Sequence, residues 1–226
     1  MKVSALICSL WVDKNKPQVL YKCINSLKGA DEVLSLVTEP STRLGFADSW
    51  NRLAGISTGD YLIFIGDSNV LIKGNLKDLC IPDTVTFPIV NGFFSAVIFC
   101  MPRNIYEQIG LYDISFNNGV HYEDLDFWRS VLKYEIKYKA IDNVVFYKFI
   151  EGRSINKIKN MNNLEELNKS VYIKKWGDTN APDLKTPKFS NHRLVYSIVK
   201  IRNIVFGYQA ILKKTYFNLT KFKSKK

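Results

Sequence analysis

Gly59-Asp60-Tyr61-Leu62-Ile63-Phe64-Ile65-Gly66-Asp67-Ser68-Asn69 reads as a buried strand that runs straight into a cluster of oxygen-bearing side chains. Residues 61 to 65 are the strongest strand signal in the chain, an apolar run bounded by glycines. A carboxylate at the exposed end of such a strand is well placed to hold a divalent cation or a sugar hydroxyl, because the sheet fixes it while leaving it wet. The same residues also suit a tight turn, with Asp67 as cap and Ser68 and Asn69 as turn formers. Both readings stand on spacing alone.

Working outward, Val3 to Leu10 is apolar and β-prone, and Val19, Leu20, Cys23, Ile24 and Leu27 fall at helical spacing within 17–27. Glu32 to Val37 predicts a second strand and Asp48 to Ile56 a short helix that Gly59 would stop. Beyond the opening stretch, strands are expected over 85–90, 95–101 and 141–149. Helices are expected over 104–109, 123–134 and from 155 onward, with breaks at Trp176-Gly177-Asp178 and between Pro182 and Pro187. No internal repeat is present. Strands alternating with helices predict an α/β layer on a mixed, mostly parallel sheet flanked by helices. Ligands in such sheets sit at the carboxyl ends of strands, so the loops after Leu10, Val37 and Ile65 are where chemistry is expected.

A second polar cluster is Gly119-Val120-His121-Tyr122-Glu123-Asp124-Leu125-Asp126-Phe127-Trp128-Arg129. Acids in the first turn of a helix are favoured by its dipole, which explains part of the run. Adjacent carboxylates at Glu123 and Asp124 are also a common way to arm a general base. His121 and His192 are too few and too far apart for a histidine metal site, and His121 alone reads as a hydrogen-bonded loop residue.

The 226 residues carry a net charge of +11 at pH 7, with 46% apolar and 23% charged residues, a composition that excludes a disordered chain or a disulfide scaffold. The charge is not spread evenly. The 43 residues after Asp183 hold 11 Lys or Arg and no acid, leaving 21 basic against 21 acidic residues in 1–183. Cys8, Cys23, Cys80 and Cys100 lie among apolar residues without a CxxC pair, which fits a reduced cytosol better than a zinc site. The first residues read as a buried strand and not a signal peptide, and no apolar window is long enough to span a membrane.

In order and spacing these pieces resemble the inverting family 2 glycosyltransferases of the GT-A fold. The resemblance rests on the first strand and helix with Cys23-Ile24-Asn25-Ser26-Leu27, on Asn51 before the 59–61 strand start, and on the DxD-like loop at Asp67. It continues through Gly110-Leu111-Tyr112-Asp113, Glu123-Asp124 and Tyr172-Ile173-Lys174-Lys175-Trp176-Gly177, covering roughly residues 3 to 177. The resemblance implies one GT-A domain with a nucleotide-sugar-binding half in 1–90, an acceptor-binding half in 91–183, and a basic helical extension in 184–226. It implies sugar transfer from a nucleotide diphosphate to an acceptor hydroxyl, with Asp124 as base and Glu123 beside it. Ser9, Trp11, Glu39, Asn51, Asp67, Ser68, Asn69 and Lys148 would serve the donor, and Asn91, Gly92, His121 and Trp128 the acceptor.

Three departures bear on the donor site, the first two of them on its cation. The family's acidic loop usually ends in a second Asp, where this chain has Asn69. A metal-binding His often follows the penultimate strand, where this chain has Lys148. The stretch between Glu39 and Asn51 is also short, which would trim the donor pocket. Mg²⁺ or Mn²⁺ through Asp67 is therefore expected to matter weakly.

In the tail, Leu194, Ile198, Ile201, Val205, Tyr208, Leu212, Tyr216 and Leu219 form one helical stripe with the basic residues mostly away from it. Such a segment fits a helix packed on the body, an amphipathic helix on an anionic membrane, or a grip on nucleic acid. The expectation is a cytoplasmic transferase at the inner membrane face, acting on a lipid-linked or polysaccharide acceptor. The alternatives are a transferase acting on a modified nucleic-acid base and a degenerate, non-catalytic binding module.

Overall fold

The computed structural model describes residues 1–10, 16–38, 44–91, 93–94, 98–116, 121–148 and 161–182. In chain order these form β1 (Val3–Leu10), α1 (Lys16–Ser26), β2 (Glu32–Thr38), α2 (Phe46–Ile56), β3 (Tyr61–Gly66) and β4 (Asn69–Lys73). A 3-10 turn at Leu76–Leu79 leads to β5 (Thr84–Val90), β6 (Phe93–Phe94), β7 (Ile98–Pro102) and α3 (Arg103–Ile109). A second 3-10 turn at Ile114–Phe116 precedes α4 (Glu123–Lys133), β8 (Lys137–Lys148) and α5 (Met161–Trp176). The tail expected as a basic helix lies outside the described residues.

The strands make one mixed sheet in the order β2-β1-β3-β7-β5-β8-β4, with β6 against β5. Parallel pairing joins β1 to β2 and to β3, and β5 to β8. β7 runs antiparallel to both β3 and β5, and β4 antiparallel to β8. The antiparallel share is thus larger than a mostly parallel sheet would have. The cause is β7, which enters between β3 and β5 against the direction of both, with Ile63 opposite Cys100 and Thr86 opposite the same Cys100.

Both faces of the sheet are covered, which is why its central strands are apolar without interruption. On one face Val3, Ala5, Ile7, Ile63 and Ile65 pack with Leu20 and Cys23 of α1 and with Leu27 just after it. On the other, Leu6, Leu62, Phe64 and Phe99 pack with Trp50 and Leu53 of α2, Tyr106 of α3 and Phe127 of α4. That second face is dense in aromatic pairs, with Phe64 and Phe99 stacked at 4.6 Å and Tyr112 and Phe127 at 4.2 Å.

Arg103, at the start of α3, ties the far end of α2. Its guanidinium donates to the carbonyls of Gly59 (2.8 Å), Ala54 (3.1 Å) and Ser57 (2.9 Å), placing a cation where the helix leaves carbonyls unsatisfied.

The expected strands and helices recur with ends moved by a few residues, save that 95–97, expected in a strand, lie outside the described residues. β4 is an element to which the sequence reading assigns no strand. Its five residues turn back after Asp67 and Ser68 and pair with β8, so a segment with a turn composition at its entry becomes the far edge of the sheet. Gly110 and Gly177 end α3 and α5 with φ of 91° and 83°, as glycines after a helix do. Among the described residues, no helix is long and apolar enough to cross a membrane.

Candidate active site

β1 and β3 lie in parallel register with Cys8 opposite Gly66, so the next residue of each strand, Ser9 and Asp67, emerges together at the carboxyl end of the sheet. Ser9 Oγ donates to Asp67 Oδ2 at 2.6 Å, and both residues are buried. Ser68 and Asn69 are buried beside them. Asp67 is felt underneath: burial, and after it the Asp67 carboxylate, pushes the Cys8 thiol well up. The same two causes push Cys23 up to about 12, opposed by a hydrogen bond from the Asn69 backbone.

Asn69 explains the missing second acid. Its Nδ2 donates to the Gly66 carbonyl at 2.7 Å, closing the turn between β3 and β4, a bond that an aspartate carboxylate has no hydrogen to make. Its Oδ1 is buried under that turn without a hydrogen-bond partner. The loop therefore offers one carboxylate, one oxygen of which already accepts from Ser9, and no group of three or more His, Cys, Asp and Glu side chains suited to a metal occurs among the described residues. That donor set does not hold a divalent cation by itself.

The acidic run divides its three carboxylates. Asp126, 3% exposed, accepts from Trp176 Nε1 at 2.7 Å and from Lys175 Nζ at 3.0 Å, so it joins α4 to α5. Lys175 also reaches Asp113 at 2.7 Å. Burial works against the Lys175 charge, yet these two carboxylates hold its proton more tightly than usual. Arg129 pairs with Asp178 and lies over the rings of Tyr172 (5.1 Å) and Trp176 (5.4 Å). Asp124 faces solvent, its Oδ1 accepting from the Leu125 N–H at 2.8 Å, and Glu123 is half-buried next to it.

The acids of α4 act on a different buried group. Tyr112 is 3% exposed, and burial, then Tyr106, Asp124, Glu123 and Cys8 in turn, pushes its phenol well up. Cys8 is the same residue whose thiol the Asp67 carboxylate raises after burial. Cys8 and Tyr112 belong to one apolar cluster, shared by β1, α2, β3 and α4.

The remaining expected residues divide. Asn51, expected at the donor, is a brace: its Oδ1 accepts from Tyr106 OH (2.7 Å) and Tyr112 N–H (3.0 Å) while its Nδ2 donates to the Tyr112 carbonyl (2.8 Å). Trp128, expected at the acceptor, is buried against Phe87 and Phe99 at 5.0 and 5.1 Å, as its place on the inner face of α4 requires. Asn91 pins the end of β8, its Oδ1 accepting from the Lys148 N–H at 2.8 Å and its Nδ2 donating to the Lys148 carbonyl at 3.3 Å. Lys148 stands opposite Asn69 in the β4–β8 register, so β8 ends beside the Asp67 loop. His121 is exposed in the turn before α4. Trp11, Glu39 and Gly92 lie outside the described residues. Asn168 is the contributor missed by sequence reasoning, because its partner His121 lies 47 residues away and nothing local marks it.

No protein-family model and no curated protein sequence matches the chain. Solved structures do. A mannosyltransferase from Pyrobaculum calidifontis in complex with GDP-Man and Mn²⁺ aligns at 10% identity with a TM-score of 0.51, covering 94% of this chain and 79% of that one. GalNAc-T7 with UDP, GalNAc and Mn²⁺ aligns at 9% identity with a TM-score of 0.52, covering 88% of this chain. The catalytic domain of Drosophila beta1,4galactosyltransferase 7 in complex with xylobiose aligns at 12% identity with a TM-score of 0.46 over 62% of this chain. The chain spans 55% of the length of GalNAc-T7 and 65% of that of the Drosophila domain. The chain has the GT-A fold.

Replacing Asn51 by Ala leaves the Tyr112 N–H and carbonyl and the Tyr106 hydroxyl without their partners, and is expected to lower stability by about 2–3 kcal/mol. Urea unfolding measures this. An unchanged midpoint together with lost nucleotide binding would return Asn51 to the donor.

Proposed function

We propose that the chain is a family 2 type glycosyltransferase that moves a sugar from a nucleotide-diphosphate donor to an acceptor hydroxyl with inversion. The observation that carries the reading is that two carboxylate clusters, Ser9–Asp67 and Glu123–Asp124, border one apolar cluster of a GT-A fold, where beyond burial Asp67 acts on Cys8 and Asp124 and Glu123 act on Tyr112. In-line displacement needs a base on the acceptor side and charge compensation at the leaving group, two groups on opposite sides of one reacting carbon. Asp124 takes the acceptor proton as the acceptor oxygen bonds to the anomeric carbon and the bond to the diphosphate breaks. Glu123 orients the acceptor, with His121 and Gly92 near it. Asp67, held by Ser9, takes the donor ribose, with Trp11, Glu39, Ser68 and Asn69 around the nucleotide. Lys148 meets the departing diphosphate. That the mannosyltransferase was solved with GDP-Man and GalNAc-T7 with UDP supports a nucleotide-sugar donor.

Both of those structures also contain Mn²⁺, while the Asp67 loop of this chain supplies one carboxylate. The proposal is therefore a weak dependence on a cation. For the acceptor, the acid-free basic tail supports a cytoplasmic enzyme on the inner membrane face, with the tail on anionic lipid and a lipid-linked or polysaccharide acceptor.

Asp124→Asn is expected to abolish transfer while nucleotide-sugar affinity stays within about twofold, because a base on the acceptor side acts on kcat. Near wild-type turnover would remove Asp124 from the mechanism. No transfer by the wild-type chain with any nucleotide sugar, despite donor binding, would favour a non-catalytic binding module.

Activity is expected to survive EDTA in part, since an ammonium about 4 Å from a cation opposes it by roughly 1–4 kcal/mol depending on the dielectric. Lys148→Ala should lose rate or gain a requirement for Mn²⁺. Complete loss in EDTA, restored by Mn²⁺ or Mg²⁺, would return Asp67 to an ordinary metal-ligand role.

Deleting residues 190 to 226 is expected to weaken binding to vesicles containing anionic lipid and to reduce activity on a soluble acceptor less. Unchanged vesicle binding with lost DNA binding would point to a nucleic-acid substrate instead.

A further inference from the structure

The chain enters α4 through a conformation that side chains resist. His121 and Tyr122 hold φ of 54° and 70°, and among the described residues no other two consecutive non-glycine residues have positive φ. Histidine tolerates this region better than most residues, whereas a bulky tyrosine does so rarely. Tyr122 stands at the N-cap of α4 yet makes no capping hydrogen bond with its side chain. Ordinary helix capping therefore does not account for the turn. Backbone strain of this kind persists where the surroundings over-determine it, and it concentrates at functional sites.

α5 supplies what holds it. Asn168 and Tyr172, one helical turn apart, are both fully buried. Asn168 Nδ2 donates to the His121 carbonyl at 3.1 Å, and the Tyr172 ring lies 5.2 Å from that of Tyr122. A turn further along, Lys175 and Trp176 take both oxygens of Asp126. One face of α5 thus grips residues 121, 122 and 126 in sequence, on either side of Glu123 and Asp124. A fully buried carboxamide is costly unless it is bonded, and an apolar side chain would fill the same space against α4 more cheaply.

We infer that Asn168 is a positioning residue: through the His121 carbonyl it holds the left-handed turn that sets where Glu123 and Asp124 point. The inference rests on the transferase reading above for its consequence, and on the turn itself for its geometry. Asn168 touches neither donor nor acceptor in this account. Its effect therefore falls on the rate of the chemical step, with donor affinity spared.

The test is a double-mutant cycle with His121→Gly, since glycine adopts positive φ without a side-chain clash. Asn168→Ala in the wild-type background is expected to lower kcat at least about tenfold, with KM for the nucleotide sugar within about twofold. In the His121→Gly background the same substitution is expected to cost less than about threefold, whatever His121→Gly costs by itself. Equal losses in both backgrounds, or an unchanged kcat in folded Asn168→Ala, would overturn the inference. Should Asn168→Ala fail to fold, hydrogen exchange on the wild-type chain decides. The Asp126 amide, which donates to the Tyr122 carbonyl at 2.9 Å, should then be protected about as strongly as those in the middle of α5, and rapid exchange there would overturn the inference. A wild-type chain that transfers no sugar would defeat the functional reading instead, and the exchange measurement would still judge the turn.

Discussion

The parallel register between β1 and β3 is the constraint on which the rest depends. With Cys8 opposite Gly66, the residues that follow are level, and Ser9 meets Asp67 over 2.6 Å. A slip of one residue would turn every apolar side chain of a strand covered on both faces toward the wrong helix layer, so the core enforces the register far more strongly than the polar pair could. The burial that follows raises the thiols beneath, which stay neutral and inert.

Charge is allocated with similar economy across the acidic turn. Lys175 stands between Asp113 and Asp126, and Arg129 pairs with Asp178 while stacking over two α5 aromatics. These pairs consume the acids that face α5 and hold the helix against α4. Asp124, on the opposite side, faces solvent. Three acids in four positions therefore divide into structure and site by which face of α4 they occupy, and helix periodicity alone separates residues 124 and 126 by more than half a turn.

How far the sequence could be read follows from the range of the signals. Val3–Leu10 and Tyr61–Gly66 were legible because strands buried on both faces announce themselves in five or six consecutive residues. α3 and its end at Gly110 were legible because helix caps are local. β4 was not: Asn69-Val70-Leu71-Ile72-Lys73 is short, opens with turn formers, and owes its strand to β8, almost 80 residues on. Asp67, Glu123 and Asp124 stand out as acids at element ends, while the internal partners of Asn51 and Trp128 are hidden in the sequence for a shared reason. A polar or aromatic side chain in a matched motif looks the same whether it meets a ligand or its own core, and only partners such as Tyr112 or Phe99 tell the two apart.

Asn69 shows how backbone and chemistry compete for one position. To start β4 opposite Lys148 the chain must reverse within Asp67 and Ser68, and the reversal leaves the Gly66 carbonyl pointing inward. A carboxylate at 69 would face that carbonyl with oxygen against oxygen, whereas the amide donates to it. The turn is thus stabilised by the same replacement that removes a second anionic ligand. Because β4 and β8 are in register, the residue brought opposite is Lys148, a cation that β8 delivers and Asn91 fixes by its backbone. In the proposed reaction, positive charge for the departing diphosphate then comes from the sheet itself. The gain is a group that need not be acquired from solution. The cost is that a flexible ammonium gives up the directional, multi-oxygen coordination of a hard cation, so more of the alignment must come from the neighbouring backbone.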